Sequence, residues 1–278
     1  MSGQTEKAEA FRRLHDRRSV LVLPNAWDVP SARMFEEEGF PAVATSSLGM
    51  LVSLGYPDGE SIPRREFVSA VERLARVLSV PLSADVVGGF GGSPEEVARS
   101  VKAVIGAGAV GINIEDFIHE SKTLLPVEKQ VARLQALVKM QKSGVPFVIN
   151  ARTDALRFAS GDGDARMEEA VRRAKAYRDV GVDCVYPMGL ADAESISSFV
   201  KELDFPTNVM VRKGLPPVSE LWRLGAARIS FGPSASYAAM GLLRRASKEV
   251  REKGTYECLV EGAINGDELN ALAGPRKT

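Results

Sequence analysis

The chain has 278 residues, 45% of them hydrophobic and 26% charged, and its 36 Lys and Arg are balanced by 36 Asp and Glu. Such a composition suits a globular protein with a core that needs no staples, and a formal net charge of zero leaves no electrostatic footprint for nucleic acid or another polyanion. No apolar run approaches the ~20 residues of a membrane helix, and the polar segment from Met1 to Arg18 is no secretory signal. The two cysteines, Cys184 and Cys258, match no zinc or redox spacing and suit a reducing compartment. The expectation is a cytoplasmic protein with neither nucleic acid nor membrane as partner.

His15 falls in the polar N-terminal segment and reads as a surface residue. Beyond it, short apolar runs alternate with longer amphipathic ones. The short runs predict eight strands: 20–24, 42–45, 82–85, 110–115, 147–151, 184–187, 208–211 and 228–231. Most are apolar on consecutive positions, the pattern of parallel strands covered on both faces. Ser93 as N-cap, then Pro94, Glu95 and Glu96, predict a helix over 94–105. Further helices are predicted over 165–180, ended by Gly181, and over 218–224, ended by Gly225. Gly39, Gly108 and Gly144 also read as helix ends. Pro126 reads as the first residue of the helix after the fourth strand.

Eight strand-then-helix units predict an α/β fold, a (β/α)8 barrel over 1–253 as a single domain. The open doubly wound alternative lacks support, because the loop after the first strand, Pro24-Asn25-Ala26-Trp27-Asp28, has no glycine. Residues 254–278 read as a C-terminal helical tail.

In such a barrel the chemistry sits where strands end. The polar residues there are Asn25 and Asp28, then Thr45, Ser46 and Ser47, then Asp85, then Glu115 and Asp116. Asn150, Arg152 and Asp154 follow, then Asn208, Arg212 and Lys213, then Ser230 and Ser234. Carboxylates from adjacent strands can hold a hard cation such as Mg2+, and a guanidinium can clamp a carboxylate. Asp116 and Asp154 read more plainly as helix caps or surface salt bridges. Four glycines, Gly88, Gly89, Gly91 and Gly92, predict backbone that approaches a ligand or another loop closely.

Asn25-Ala26-Trp27-Asp28, Ala44-Thr45-Ser46-Ser47, the run from Leu54 to Gly59, Ala84 to Gly91, Gly111 to Asp116 and Asn150 to Asp154 together resemble the isocitrate lyase/phosphoenolpyruvate mutase superfamily. The motifs keep their order from about Phe11 to Arg245. The resemblance implies a barrel whose last helix swaps between subunits of a homodimer or homotetramer. It also implies Mg2+ (or Mn2+)-dependent chemistry on a small 2-oxo acid or dicarboxylate. By the same resemblance Asp85 is the direct metal ligand and Glu115 a water-mediated one. Asp58 is an acid near the metal shell. Ser46, Ser47 and Leu48 hold the carboxylate end of the substrate, and Arg152 binds its acidic group, with Asn208 as a further substrate contact.

The departures narrow the expectation. Val87 stands where many relatives carry a second acid. The loop from Phe117 to Thr123 lacks the lyase cysteine, and Met188 replaces a lyase glutamate, so an isocitrate or 2-methylisocitrate lyase is not expected. His119 or Lys122, on a loop that closes over the site, would then supply the proton. The function expected is C–C cleavage through an enolate, of lyase, oxaloacetate decarboxylase or acetylhydrolase type. A P–C bond mutase and a non-catalytic 2-oxo acid binder are the alternatives.

Overall fold

The computed structural model describes residues 2–15, 17–144 and 146–274. Runs of consecutive Val, Ile, Leu and Ala are extended, and segments whose apolar residues recur every three or four positions are helical. In chain order the elements are α1 (Ser2–Arg13), β1 (Leu21–Leu23), β2 (Asn25–Ala26), α2 (Val29–Glu37), β3 (Val43–Thr45), α3 (Ser47–Ser53), α4 (Arg64–Val77), β4 (Leu82–Asp85) and α5 (Pro94–Gly106). There follow β5 (Gly111–Glu115), β6 (Phe117–Ile118), β7 (Thr123–Leu124), α6 (Val127–Ser143), β8 (Val148–Thr153), α7 (Ala155–Phe158), α8 (Gly163–Val180) and β9 (Cys184–Pro187). The chain continues with α9 (Ala193–Leu203), β10 (Asn208–Met210), α10 (Val218–Arg223), β11 (Arg228–Ser230), α11 (Ser234–Lys253), α12 (Glu257–Val260) and α13 (Gly266–Ala271).

All eight expected strands are present, most with shorter ends. The first is broken at Pro24, which has no N–H to give to a ladder, so β1 and β2 are its two halves. β2, β3, β4, β5, β8 and β9 pair in that order, and β1, β11 and β10 pair in a second group. A parallel bridge between Val185 and Thr207 joins β9 to the β10 side, and the chain itself joins β1 to β2. The ring is thereby closed and parallel throughout, a TIM-barrel-like α/β fold. The antiparallel hairpin β6–β7 stands outside it.

Helix formation follows local rules. Ser93 and Glu96 form a reciprocal capping box at the start of α5, with Pro94 in the first turn, and Val97, Val101, Val104 and Ile105 bury one face. At roughly 1.5–3 kcal/mol for each fully buried aliphatic side chain, that face outweighs the helix's intrinsic propensity. Gly181 ends α8 with φ 98°, where a side chain would be strained. Gly144 ends α6 as expected, in an extended conformation with φ −137°. Pro126 is the N-cap of α6 rather than its first residue.

His15 is buried, 6% exposed, contrary to the surface reading. Helix α1 packs under the ring, where Phe11 meets Gly111: a Cβ at Gly111 would lie 2.5 Å from the Phe11 ring. Phe11 joins Leu21, Leu23, Ala42, Ala44, Val110 and Val148 in a small apolar cluster. The His15 ring stands edge-on to Phe11 at 4.8 Å. An open barrel end exposes apolar interior, and α1 covers it.

At the other extreme of the chain, α11 buries only Ser236 and Ala246. Tyr237, Met240, Leu243 and Val250 on it are exposed, as are Tyr256, Leu259, Val260 and Leu269 beyond it. The expected helical tail is realised as α12 and α13, neither with a buried residue; residues 275–278 of it lie outside the described residues. Among the described residues, no helix is long and apolar enough to cross a membrane.

Candidate active site

The C-terminal ends of the strands surround a cavity of 380 Å³. Helix α3 starts immediately after β3, so Thr45, Ser46, Ser47 and Leu48 are delivered to its rim. The Ser46 hydroxyl accepts from the Gly49 amide at 3.2 Å and caps the helix. The Thr45 hydroxyl accepts from the Asp85 amide at 2.8 Å and ties β3 to β4.

Asp85 ends β4 and lines the cavity. Its Oδ1 accepts from Asn113 Nδ2 at 3.1 Å and the Val87 amide at 3.3 Å, and its Oδ2 from the Ser47 amide at 3.4 Å. Asp58 lines the same cavity. Its carboxyl is raised above the usual range, first by burial and then by the charge of Asp85.

Glu115 ends β5 and is 1% exposed. Its Oε1 lies 2.6 Å from His119 Nε2 and its Oε2 2.6 Å from Arg152 Nη1. Arg152, on the neighbouring β8, also donates from Nε and Nη2 to Asp154, at 2.6 and 2.9 Å. Three of the five guanidinium N–H groups are thereby committed, and two remain for a ligand. Burial opposes the Arg152 charge, but Glu115 and Asp154 hold its pKa well above the ordinary value. Burial pushes Glu115 up against the pull of Arg152. The hydrogen bond to Glu115 raises His119 in turn.

His119 is therefore brought to the site, on a hairpin held by a stack of Phe117 on Phe158 at 4.2 Å. Lys122, at the exposed tip of that hairpin, is not. Asn208 lines the cavity floor and donates to the Ser230 hydroxyl at 3.0 Å.

Several residues differ from the sequence reading. Asp154 holds the N-cap position of α7, as read, but its side chain makes no capping bond: its buried carboxylate clamps Arg152 and takes Arg157 Nη1 at 3.1 Å. Asp116 is no surface group. It accepts from the Asp154 amide at 2.9 Å, Arg173 at 2.9 Å and the Tyr177 hydroxyl at 2.7 Å, all buried. The glycine cluster, by contrast, agrees with the expected close approach to another loop: a Cβ at Gly88 would lie 3.1 Å from Glu60 Oε1. A Cβ at Gly89 would meet Val97 at 2.7 Å and one at Gly91 would meet Glu96 at 2.6 Å. Val87, at φ 55°, is 1% exposed in the core cluster.

Tyr186, under the Arg152 guanidinium at 5.7 Å, and the buried Arg228 escaped the sequence reading. The signal for Arg228 was available: a charge inside the run Ala226-Ala227-Arg228-Ile229. Asn113 and Asn150 were legible as a pair too, since each stands two residues before the charged end of its strand.

A divalent cation suits the acids at the rim. Asp85 and Asp58 face one cavity, and the charge of Asp85 raises the cost of ionising Asp58, which a cation between them would relieve. Among the described residues no group of three or more His, Cys, Asp or Glu could hold a metal by itself, so water or substrate oxygens would complete the coordination, as Mg2+ tolerates.

A closed parallel ring with acids, an arginine and capped serines at its C-terminal mouth defines a TIM-barrel-like enzyme. A family model described as "Phosphoenolpyruvate phosphomutase" matches residues 11–251, and the chain belongs to that family, within the isocitrate lyase/phosphoenolpyruvate mutase superfamily. An uncharacterized protein of Mycobacterium tuberculosis is 33% identical over 230 residues, 83% of this chain and 84% of the relative. The 2-methylisocitrate lyase of Escherichia coli (strain K12) is 28% identical, covering 94% of this chain and 90% of the lyase. An oxaloacetate decarboxylase of Pseudomonas putida is 30% identical, over 90% of this chain and 82% of the decarboxylase. Among solved structures, a candidate lyase/mutase of Burkholderia cenocepacia superposes with TM-score 0.90 at 33% identity, covering 99% of this chain and all 100% of that one. Oxaloacetate acetylhydrolase bound to its product oxalate superposes with TM-score 0.83 at 26% identity, over 97% and 94% of the two chains.

Proposed function

We propose that the protein cleaves a C–C bond in a small 2-oxo acid or dicarboxylate through an enolate, in the manner of a lyase, decarboxylase or acetylhydrolase. The observation that carries this reading is the clamped Arg152, held by Asp154 and Glu115 with two N–H groups free at the cavity. It is pre-oriented for a carboxylate, so little ordering is lost on binding. The first turn of α3, from Ser46 to Leu48, lines the cavity beside it and would take polar oxygens of the same ligand.

Asp85 would hold Mg2+ or Mn2+ directly, with Asp58 beside it and Glu115 one layer behind. When bound, the ion polarises the 2-oxo group. When the C–C bond breaks, the electron pair stays on the carbon next to the 2-oxo group, and that carbon needs a proton. His119, whose pKa the hydrogen bond to Glu115 raises, would supply it from a hairpin that can close over the cavity.

The exposed apolar side chains of α11 and the tail support a homodimer or homotetramer that exchanges this helix, with 1–253 as the barrel domain and 254–278 as the tail. Both cysteines are free, which supports a cytoplasmic setting. The test is turnover of a panel of 2-oxo acids, oxaloacetate and phosphonopyruvate with and without Mg2+. Metal-dependent pyruvate or oxalate release from oxaloacetate supports the reading. Turnover of phosphonopyruvate alone would replace it with the mutase, and binding of 2-oxo acids without turnover would leave a binder.

A further inference from the structure

The cavity does not stop at the ring of charged groups. Ser83, Asn113, Asn150 and Arg228 stand two residues before Asp85, Glu115, Arg152 and Ser230 on their strands, roughly 6–7 Å deeper at the rise of a strand. Ser83, Asn113, Asn150 and Arg228 all line the same cavity. Barrel interiors at this depth are ordinarily filled with apolar side chains.

Here they are polar and their bonding is incomplete. Arg228 is 2% exposed, and its Nε and Nη1 have no hydrogen-bonding partner among the described residues. The same holds for Asn150 Oδ1, Asn208 Oδ1 and Ser83 Oγ. The orientation of Asn150 is fixed by a relay. The Asp85 carboxylate can only accept, so Asn113 presents Nδ2 to it and Oδ1 to Asn150, which donates from Nδ2 at 2.9 Å. Asn150 Oδ1 is thus left as an acceptor. No acid pairs with Arg228 within ion-pair distance among the described residues. Cys184 and Tyr186 beside it stay neutral, because burial pushes both up. His15 beneath it is neutral as well, pushed down to about 3 by burial and then by the Arg228 charge. Asp85 is the one carboxylate felt at Arg228, and it belongs to the layer above.

An unpaired guanidinium with so little solvent contact is strongly unfavourable. Water can satisfy its N–H groups but cannot neutralise it; an anion does both, and a planar carboxylate matches the fork. We propose that Arg228, with the Ser83 hydroxyl, forms a deep anion subsite that receives the second carboxylate of the substrate, while the Asn208 amide oxygen, which only accepts, takes a hydroxyl or water beside it. The substrate class is then a diacid of four or five carbons, gripped by Arg152 at the mouth and by Arg228 inside. Asn150 Oδ1 accepts from a hydroxyl or water next to that carboxylate. This assignment rests on the small-acid reading of the cavity given above.

The test has two arms. In calorimetric titrations, Arg228→Met should bind succinate at least tenfold more weakly than the unchanged protein and pyruvate within about twofold. The variant should melt no lower than the parent, because an uncompensated charge has been removed. If Arg228→Met does not fold, Arg228→Lys keeps the charge and should weaken succinate selectively in the same way. In crystals soaked in sodium bromide, an anomalous peak should lie beside Arg228 and vanish in Arg228→Met. Unchanged succinate affinity, or equal losses for succinate and pyruvate, overturns the second-carboxylate role. No bromide beside Arg228 overturns the anion subsite itself. A bromide peak in a protein that binds neither succinate nor pyruvate leaves the subsite standing and overturns the small-acid function instead.

Discussion

Replacing Arg152 by Met and Asp154 by Asn, singly and together, measures the clamp directly. Each side chain is buried, and they share two hydrogen bonds of 2.6 and 2.9 Å. Removing one partner of a buried ion pair costs about 3–5 kcal/mol, because the other is left charged without compensation. The low end applies here. After Arg152→Met, Glu115 keeps His119 at 2.6 Å and Asp154 keeps Arg157 at 3.1 Å. Each single variant should therefore lose about 3 kcal/mol, or roughly 6–12 °C in Tm for a chain of this class. The double variant should lose about 2 kcal/mol less than the sum of the singles, since neither residue is then stranded. Urea unfolding followed by circular dichroism gives all three values, with the denaturant slope expected to stay constant. Losses below about 1 kcal/mol, or additivity within about 0.5 kcal/mol, would show that Asp154 does not hold the arginine.

His15 predicts an acid-labile step. Its folded pKa lies at about 3, below the unfolded 6.5, so the unfolded chain binds the extra proton between those values. Stability is full above pH 6.5 and falls as the pH drops towards 3, by up to about 5 kcal/mol. His15→Asn should flatten that limb of a Tm-versus-pH curve, and an unchanged slope would refute it. Gly49→Ala places a Cβ 2.9 Å from Trp27 Cβ and 3.2 Å from Ser236 Oγ. It should cost about 1–3 kcal/mol and weaken ligand binding by shifting the first turn of α3, measured by melting and calorimetry. His119→Ala should lose turnover far more than affinity, whereas Lys122→Ala should retain both, because only His119 reaches Glu115. Thiol labelling of the native protein should modify Cys258 and spare Cys184, which is fully buried and raised to about 12.

The strand pattern was legible because covered parallel strands are apolar on both faces, and all eight runs formed strands. The placement of Asp85, Glu115 and Arg152 at adjacent strand ends followed from the same pattern. What ion pairs those ends make did not. Asp154 reads as a helix cap from its position before Ala155, but it lies two residues from Arg152, on the same face of an extended segment. The buried partners Arg173 and Tyr177 of Asp116 lie 57 and 61 residues away, beyond any local rule. His15 looks exposed because its neighbours are polar. Its burial depends on Phe11 entering the space that Gly111 leaves open, a long-range fit that composition does not encode.

The strands are not evenly stitched together. β5 and β8 are in register over five residue pairs, whereas among the described residues β9 is bridged to the β10 side at the isolated pair Val185 and Thr207. That junction is a seam, and the other joint is the backbone of Pro24. Between them they divide the wall into a long arc carrying Asp85 and Arg152 and a short arc carrying Asn208 and Arg228. A diacid held at both arginines would act as a clasp across the two arcs. Amide exchange at Val185, whose N–H is bonded to Pro206 at 3.0 Å, would then slow when the ligand binds, although Val185 itself lies outside the cavity lining.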